Sequence, residues 1–424
     1  MSGNGRKVFA HYMVGLTCNQ PLRHWEHDVR TAKSAGIDGF ALNIGPSDYW
    51  TETQLDYAYN AAECSRGFYI FISFDMAVGS WPVSQVVNIV NRYRGSSAQM
   101  LIDGRPLVST FEGPDWAPKW ATVRDATGGI YLIPNWSSLG PAGVEGKLDM
   151  IDGAFSWDAW PKPGQFMMTA SEDFLYQECL HGKAYMMGVS PWFYTGESLS
   201  PRRHCCFLVS FILDLPQWGK SWYSSSESLW YDRWQQVLEV MPDFVQIITW
   251  NDFGESSYIC DQISAQIVNG AEKYAHGHSH AAFRATLPYF IAAYKSGSVT
   301  LDWGGEDTAI AWYRTALNRH RGHNGTVWGQ GGSAPATRGA RDVVSVLAVT
   351  KNPARITLEI GHTCRMVFET RSRNPVSYFE VPFDEYTTGV VSLSLGNKTT
   401  VGPEIETRTD ADEKASMNAV SIQV

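Results

Sequence analysis

Eight times in its first 300 residues the chain places a short apolar strand ahead of a stretch with helical or turn character, and few folds accept that pattern. The strands read as Val8 to Val14, Phe40 to Ile44, Tyr69 to Phe74, Leu107 to Phe111, Ile130 to Ile133, Ala154 to Trp157, Tyr185 to Val189 and Phe244 to Trp250. Apolar spacing predicts helices over Leu22 to Ser34, Glu52 to Cys64, Ser84 to Arg94, Trp116 to Asp125, Ser171 to His181, Leu229 to Val240 and Leu287 to Lys295. Strands buried on both faces and separated by helices are βα units of a parallel sheet. Eight evenly repeated units favour closure into a (β/α)8 TIM-type barrel, an α/β fold, over an open doubly wound sheet.

After Gly297 the texture changes. Val343 to Val349, Arg355 to Ile360, Arg365 to Thr370, Val376 to Val381, Val390 to Leu395 and Ala419 to Val424 alternate or run β-branched between turn residues. They predict an all-β, sandwich-like domain. The expected division is a barrel over residues 1–297 and a β domain over 298–424, and a chain of 424 residues has room for both.

A formal charge of -9 argues against nucleic acid or an anionic membrane as a partner, because phosphates call for surplus Lys and Arg. No run approaches the 18 or so apolar residues of a membrane span. The seven cysteines are scattered with no zinc-knuckle or redox spacing; one or two disulfides fit, with at least one thiol left over. The start, Met1 to Lys7, is polar and has no apolar signal region. The unusual feature is aromatic content: 17 Trp, 19 Tyr and 19 Phe are more than a core alone calls for. Flat aromatic faces suit sugar C–H surfaces.

Barrel chemistry sits where strands end. Those positions carry His11, Tyr12, Asn43, Asp48, Asp75, Glu112, Asn135, Trp136, Trp157, Asp158, Trp160, Trp192, Tyr194, Trp250, Asn251, Asp252 and Glu255. Carboxylates, amides and indoles dominate, the composition of a cleft for neutral sugar. In Ile247-Ile-Thr-Trp-Asn-Asp-Phe-Gly-Glu-Ser256 two carboxylates three residues apart follow the last barrel strand. Three residues of extended chain span about 10 Å at most, so both can flank one glycosidic oxygen and an attacking water. The plainer alternative is an Asp that caps a turn beside a solvated Glu.

Other motifs are weaker. His276-Gly-His278-Ser-His280 lies in a glycine-containing loop and reads as solvated rather than metal-binding. Gly329-Gln-Gly-Gly-Ser-Ala334 lacks the strand-to-helix turn of a dinucleotide fingerprint. Cys205-Cys206 reads as two unpaired thiols in a helical segment. No metal or cofactor is expected.

Seven ordered stretches resemble glycoside hydrolase family 71, the fungal α-1,3-glucanases or mutanases. They are Phe9 to Val14, Ala35 to Gly45, Ser73 to Met76, Phe155 to Pro161, Val189 to Phe193, Leu229 to Trp234 and Ile247 to Ser256. The match covers residues 8 to about 296. It implies an inverting hydrolase of α-1,3-glucosidic bonds in fungal cell-wall glucan, with Asp252 and Glu255 as the catalytic pair. Glu255 is expected as general acid and Asp252 as general base, with the exchanged roles left open. Asp75 and Asp158 are expected on sugar hydroxyls and Trp157 and Trp192 as stacking platforms. His11, Tyr12, Asn43, Glu112, Trp136, Trp160, Tyr194, Trp250 and Asn251 complete the substrate-binding set.

The partners expected are α-1,3-glucan and its oligosaccharides, with the protein a monomer. A cytoplasmic or ascus-associated location follows from the bare N-terminus, or secretion if a signal has been removed. Three rivals stand beside this reading: a retaining enzyme pairing Glu112 with Glu255, a glucan-binding protein without activity, and a metal-dependent hydrolase using His276 to His280. Asn135, Asn324 and Asn397 each head a glycosylation sequon, and a glycan on Asn135 would block the expected cleft.

Overall fold

The computed structural model of the chain describes residues 5–196, 221–320, 326–371, 374–407 and 416–424. Its contacts form two compact units: residues 1–159, 169–189 and 236–250, and residues 160–168, 190–235 and 251–424.

Unit 1 contains a curled parallel sheet. Its strands are β1 (Lys7–Met13), β2 (Gly39–Ile44), β3 (Tyr69–Asp75), β4 (Arg105–Phe111), β5 (Tyr131–Leu132), β6 (Gly153–Ser156), β7 (Ala184–Val189) and β8 (Phe244–Ile247). β1 lies between β2 and β8; β3, β4 and β5 continue beyond β2, and β7 then β6 beyond β8. Asn135 adds isolated parallel bridges to Phe111 on one side and Phe155 on the other. The strand cores are apolar because both faces are covered: β2 and β7 are buried at every position.

Two glycines set the closest strand approaches. A Cβ at Gly39 would stand 2.2 Å from the Tyr69 carbonyl oxygen, and one at Gly153 would stand 2.4 Å from that of Ala184.

The helices follow the sequence closely. α1 (Leu22–Ser34), α2 (Thr51–Cys64), α3 (Val83–Tyr93), α4 (Trp120–Thr127), α5 (Gly140–Glu145), α6 (Ser171–Cys179), α7 (Leu229–Val240) and α8 (Leu287–Ser296) succeed one another in chain order. Before α4 the chain makes a 3-10 turn over Pro114–Lys119, which replaces the first part of the helix expected from Trp116. Pro118 inside it withholds the N–H that an α-helix would use there. α5 was not expected at all, since Gly140 and Pro141 disguise its start.

Unit 2 holds two four-stranded antiparallel sheets. One runs β13 (Val376–Pro382), β10 (Val343–Val349), β9 (Thr308–Tyr313), β16 (Val420–Gln423); the other β12 (Cys364–Glu369), β11 (Arg355–Ile360), β14 (Gly389–Leu395), β15 (Lys398–Ile405). One core joins them, with Ala311, Val346 and Val420 from the first sheet and Leu358, Leu393 and Ile405 from the second. The strands β9 and β15 went unread in the sequence. β15 holds only two large apolar residues, Val401 and Ile405, and is mostly exposed, as suits an edge strand. Cys205-Cys206 and Asn324 lie outside the described residues.

Candidate active site

The strand β8 ends at Ile247, three residues short of the stretch expected, but the ladder does not stop there. Ile248 N–H donates to Val189 O at 2.7 Å and Trp250 N–H to His11 O at 2.7 Å. The chain thus reaches Trp250 tied on both sides.

The carboxylate loop that follows belongs to unit 2, and its backbone is pinned at successive positions. Glu255 N–H donates to Asp252 Oδ1 at 3.0 Å. The Tyr274 hydroxyl donates to Gly254 O at 2.7 Å, and Tyr194 N–H donates to Glu255 O at 3.0 Å. Asn251 is fully buried and its Nδ2 donates to Gln266 Oε1 at 2.9 Å. The Phe253 ring packs on Tyr258 at 4.6 Å between centroids. Gly254 leaves space that its neighbours use: a Cβ there would lie 3.2 Å from Val268 and 3.4 Å from Asp252 Oδ1.

Asp252 therefore does cap its own turn, and half of the plainer reading is correct. It is not an ordinary cap. Burial pushes its carboxyl up to about 6, although the N–H groups of Glu255 and Gly254 pull the other way. Tyr274 feels that charge, because its hydroxyl is pushed up first by burial and then by Tyr194 and Asp252. Glu255 stays partly exposed.

The unit 1 residues from the strand ends form a second, separate set. Asp75 accepts the N–H of Ala77 at 3.0 Å and a side-chain hydrogen bond from Asn43. Burial lifts its carboxyl to about 6 against those bonds, and the charge of Asp48 adds to the lift. His11 is buried, its Nδ1 accepts from Gln246 Nε2 at 2.9 Å, and its ring meets Trp157 edge-on at 4.8 Å. Burial drives its pKa down to about 3, so it is neutral. Trp157 is half-buried between His11 and Phe111, and Asp158 N–H donates to Ser156 Oγ at 3.2 Å.

Glu112 adopts φ 53, left-handed for a residue with a side chain, and both carboxylate oxygens face Ser138. Tyr12 donates to Asp28 Oδ2 at 2.8 Å and stacks on Trp25. Trp136 and Trp250 are buried to within 1 %.

Trp192, expected as a stacking platform, is 1 % exposed. Its Nε1 donates to Met417 O at 3.1 Å and Arg314 lies over its ring, so its faces are taken by protein. Trp160 is half-buried, donates to Trp192 O at 3.2 Å and meets Phe193 edge-on. Asn135 is also fully buried, with Nδ2 on Ser137 Oγ and Phe155 O, so no glycan fits on it in the folded chain.

His278 Nδ1 turns to His276 O, while both ring nitrogens of His280 face carbonyls, of Tyr258 and Ala419. No group of three His, Cys, Asp or Glu among the described residues is arranged to hold a metal ion. Tyr274 and Gln266, which hold the carboxylate loop, were not foreseen. They lie in the Cys260 to His280 segment, whose sequence carries no periodic signal.

A parallel βα sheet that leads into a pinned loop with two half-buried carboxyls three residues apart, one of them raised by burial, is the equipment of a glycoside hydrolase. The family model for Glycosyl hydrolase family 71 matches residues 4–423, and the chain belongs to that family. The match runs through the β sheets, well past the limit near residue 296 set from the motifs.

The chain is 33% identical over 396 residues to a glucan endo-1,3-alpha-glucosidase of Schizosaccharomyces pombe, covering 89% of this chain and 85% of that one. It is 34% identical over 372 residues to a mutanase of Penicillium rubens, covering 85% and 76%. Among solved structures, the GH99 endo-alpha-mannosidase of Bacteroides thetaiotaomicron superposes with a TM-score of 0.50 at 12% identity, over 68% of this chain and 98% of that one. That likeness concerns the fold alone.

Proposed function

We propose that this enzyme hydrolyses α-1,3-glucosidic bonds of glucan of the kind found in fungal walls, with inversion, and that Asp252 and Glu255 are its catalytic pair. The relatives' activities support the substrate. The carrying observation is the environment of Asp252. An inverting hydrolase needs one carboxyl held protonated for the leaving oxygen and one ionised to activate water. Burial pushes the Asp252 carboxyl up to about 6. Its Oδ1 accepts the Glu255 N–H at 3.0 Å.

A raised carboxyl suits the exchanged assignment, with Asp252 as general acid and Glu255 as general base. The eight parallel strands, with Asn135 bridging Phe111 to Phe155, support reading the unit 1 sheet as a (β/α)8 barrel. Asp75 and Asn43 would then serve sugar hydroxyls at its strand ends.

The test is two variants and two rescues. Asp252→Asn should lose about 10²–10⁴-fold on glucan yet recover on a glucosyl donor with a good leaving group, which needs no proton. Glu255→Gln should instead be revived by azide, giving the inverted β-azide. Proton NMR of the first product should show the β anomer from wild type. An α product removes inversion from the proposal, and near-normal turnover in either variant removes that residue.

A further inference from the structure

Unit 1 carries a cavity of about 480 Å³ that the catalytic proposal does not use. That lies within the range of about 300–1,000 Å³ typical of small-molecule clefts. It is walled by the loop after β2, the first turn of α2 and the start of α3, with Asp48, Tyr49, Thr51, Gln85 and Asn88 among its lining. The loop after β2 leaves the C-terminal side of the parallel sheet, the side of Asn43 and Asp75.

Three observations point to a ligand. Thr51 is 8 % exposed, and its Oγ1 has no hydrogen-bond partner. A buried hydroxyl left so costs about 1–3 kcal/mol, and a ligand hydroxyl in this cavity would supply the missing partner. Tyr49 is 62% exposed, held edge-on by Trp50 at 5.0 Å, and so offers a flat face to solvent. Gln85 Nε2 is fixed on Pro46 O at 3.0 Å, which orients its amide, and Asn88 adds an exposed second amide.

The lining also excludes ligand classes. It holds no Lys or Arg, so phosphates and carboxylates gain nothing there. Glu52 at the rim is already engaged by Arg92. An uncharged polyhydroxy ligand can use the exposed Tyr49 face together with the Thr51 hydroxyl and the Asn88 amide, with the Asp48 carboxylate as a further acceptor for its hydroxyls.

We propose that this cavity is a remote glucan subsite, in which a glucosyl unit beyond the cleaved bond stacks on Tyr49 and hydrogen-bonds to Thr51 and Asn88. The choice of glucan rests on the function proposed above; the cavity's preference for neutral sugar does not.

The experiment compares wild type, Tyr49→Ala and Thr51→Val on α-1,3-glucan and on its shortest cleaved oligosaccharide, with pull-down of insoluble glucan and melting curves. The expected result is KM for the polymer raised about five- to tenfold in each variant, a cost of about 1–1.4 kcal/mol, with kcat and short-substrate KM unchanged. Thr51→Val should keep or raise Tm, which separates lost binding from lost folding. Variants that bind and cleave the polymer like wild type would overturn the subsite. If wild type binds glucan through Tyr49 yet cleaves none, the hydrolytic proposal falls and the subsite stands. If wild type neither binds nor cleaves glucan, both fall.

Discussion

Asp252 is carried above the ordinary carboxylate value by burial, and that has a consequence for stability. A group with a raised folded pKa binds its proton more tightly in the folded chain than in the unfolded one. The resulting stabilisation is complete below the unfolded pKa near 4 and is lost as pH rises through about 6. At about 1.4 kcal/mol per pH unit the ceiling is roughly 3 kcal/mol, and partial exposure of the residue lowers it. Asn keeps the acceptor for the Glu255 N–H and never ionises. Asp252→Asn should therefore melt at or above wild type at pH 7.5 and match it at pH 4, while activity is lost. Thermal melts at the two pH values check this. A variant that melts lower at pH 7.5 would show that the carboxylate is a stabilising cap and nothing more.

The elements show which parts of the fold a sequence reveals. α1, α7, β10 and β11 fall on the residues their periodicity marks, because each presents an uninterrupted apolar stripe or run. β5 shrinks to two residues and α5 was missed, since short elements carry too few periods to stand out. Residue identity located the carboxylate loop, but not what holds it. Tyr274 reaches Gly254 across 20 residues, and nothing local in the sequence announces such a contact.

Stacking by Trp192 failed for a related reason: a Trp after a strand reads alike whether its face is open or filled by Arg314.

Two predictions belong at this scale. Tyr274→Phe removes one neutral hydrogen bond of about 1 kcal/mol, so kcat should fall about five- to tenfold with KM held. An unchanged kcat would mean the loop keeps its shape without that bond. Gly39→Ala would push a methyl to 2.2 Å from the Tyr69 carbonyl at the β2–β3 pairing. It should destabilise by more than about 4 kcal/mol, whereas Gly5→Ala, with open space around it, should be neutral in the same denaturant titration. Equal midpoints would show that the sheet can spread there at little cost.

At the scale of the whole molecule, the carboxylate loop and the β sheets belong to the same compact unit. The C-terminal segment is tied to the residues around that loop. Asn418 Nδ2 donates to Tyr274 O at 2.9 Å, His280 Nε2 meets Ala419 O at 3.0 Å, and Ser421 N–H donates to Ser279 O at 2.7 Å. Tyr274 in turn holds Gly254, between the two carboxylates. The last strand thus reaches the proposed catalytic pair through two hydrogen-bonded residues, and a family model that runs to residue 423 agrees with its being part of the working enzyme. A chain ended after Gly297 should be inactive, and it should lose the part of the melting transition contributed by the two antiparallel sheets. Asn418→Ala, which cuts a single link, should fold and lose about tenfold in kcat. Because truncation alone conflates unfolding with inactivity, the point variant carries the argument. Full turnover in Asn418→Ala together with a folded, active 1–297 fragment would make the β sheets an appendage rather than the support of the site.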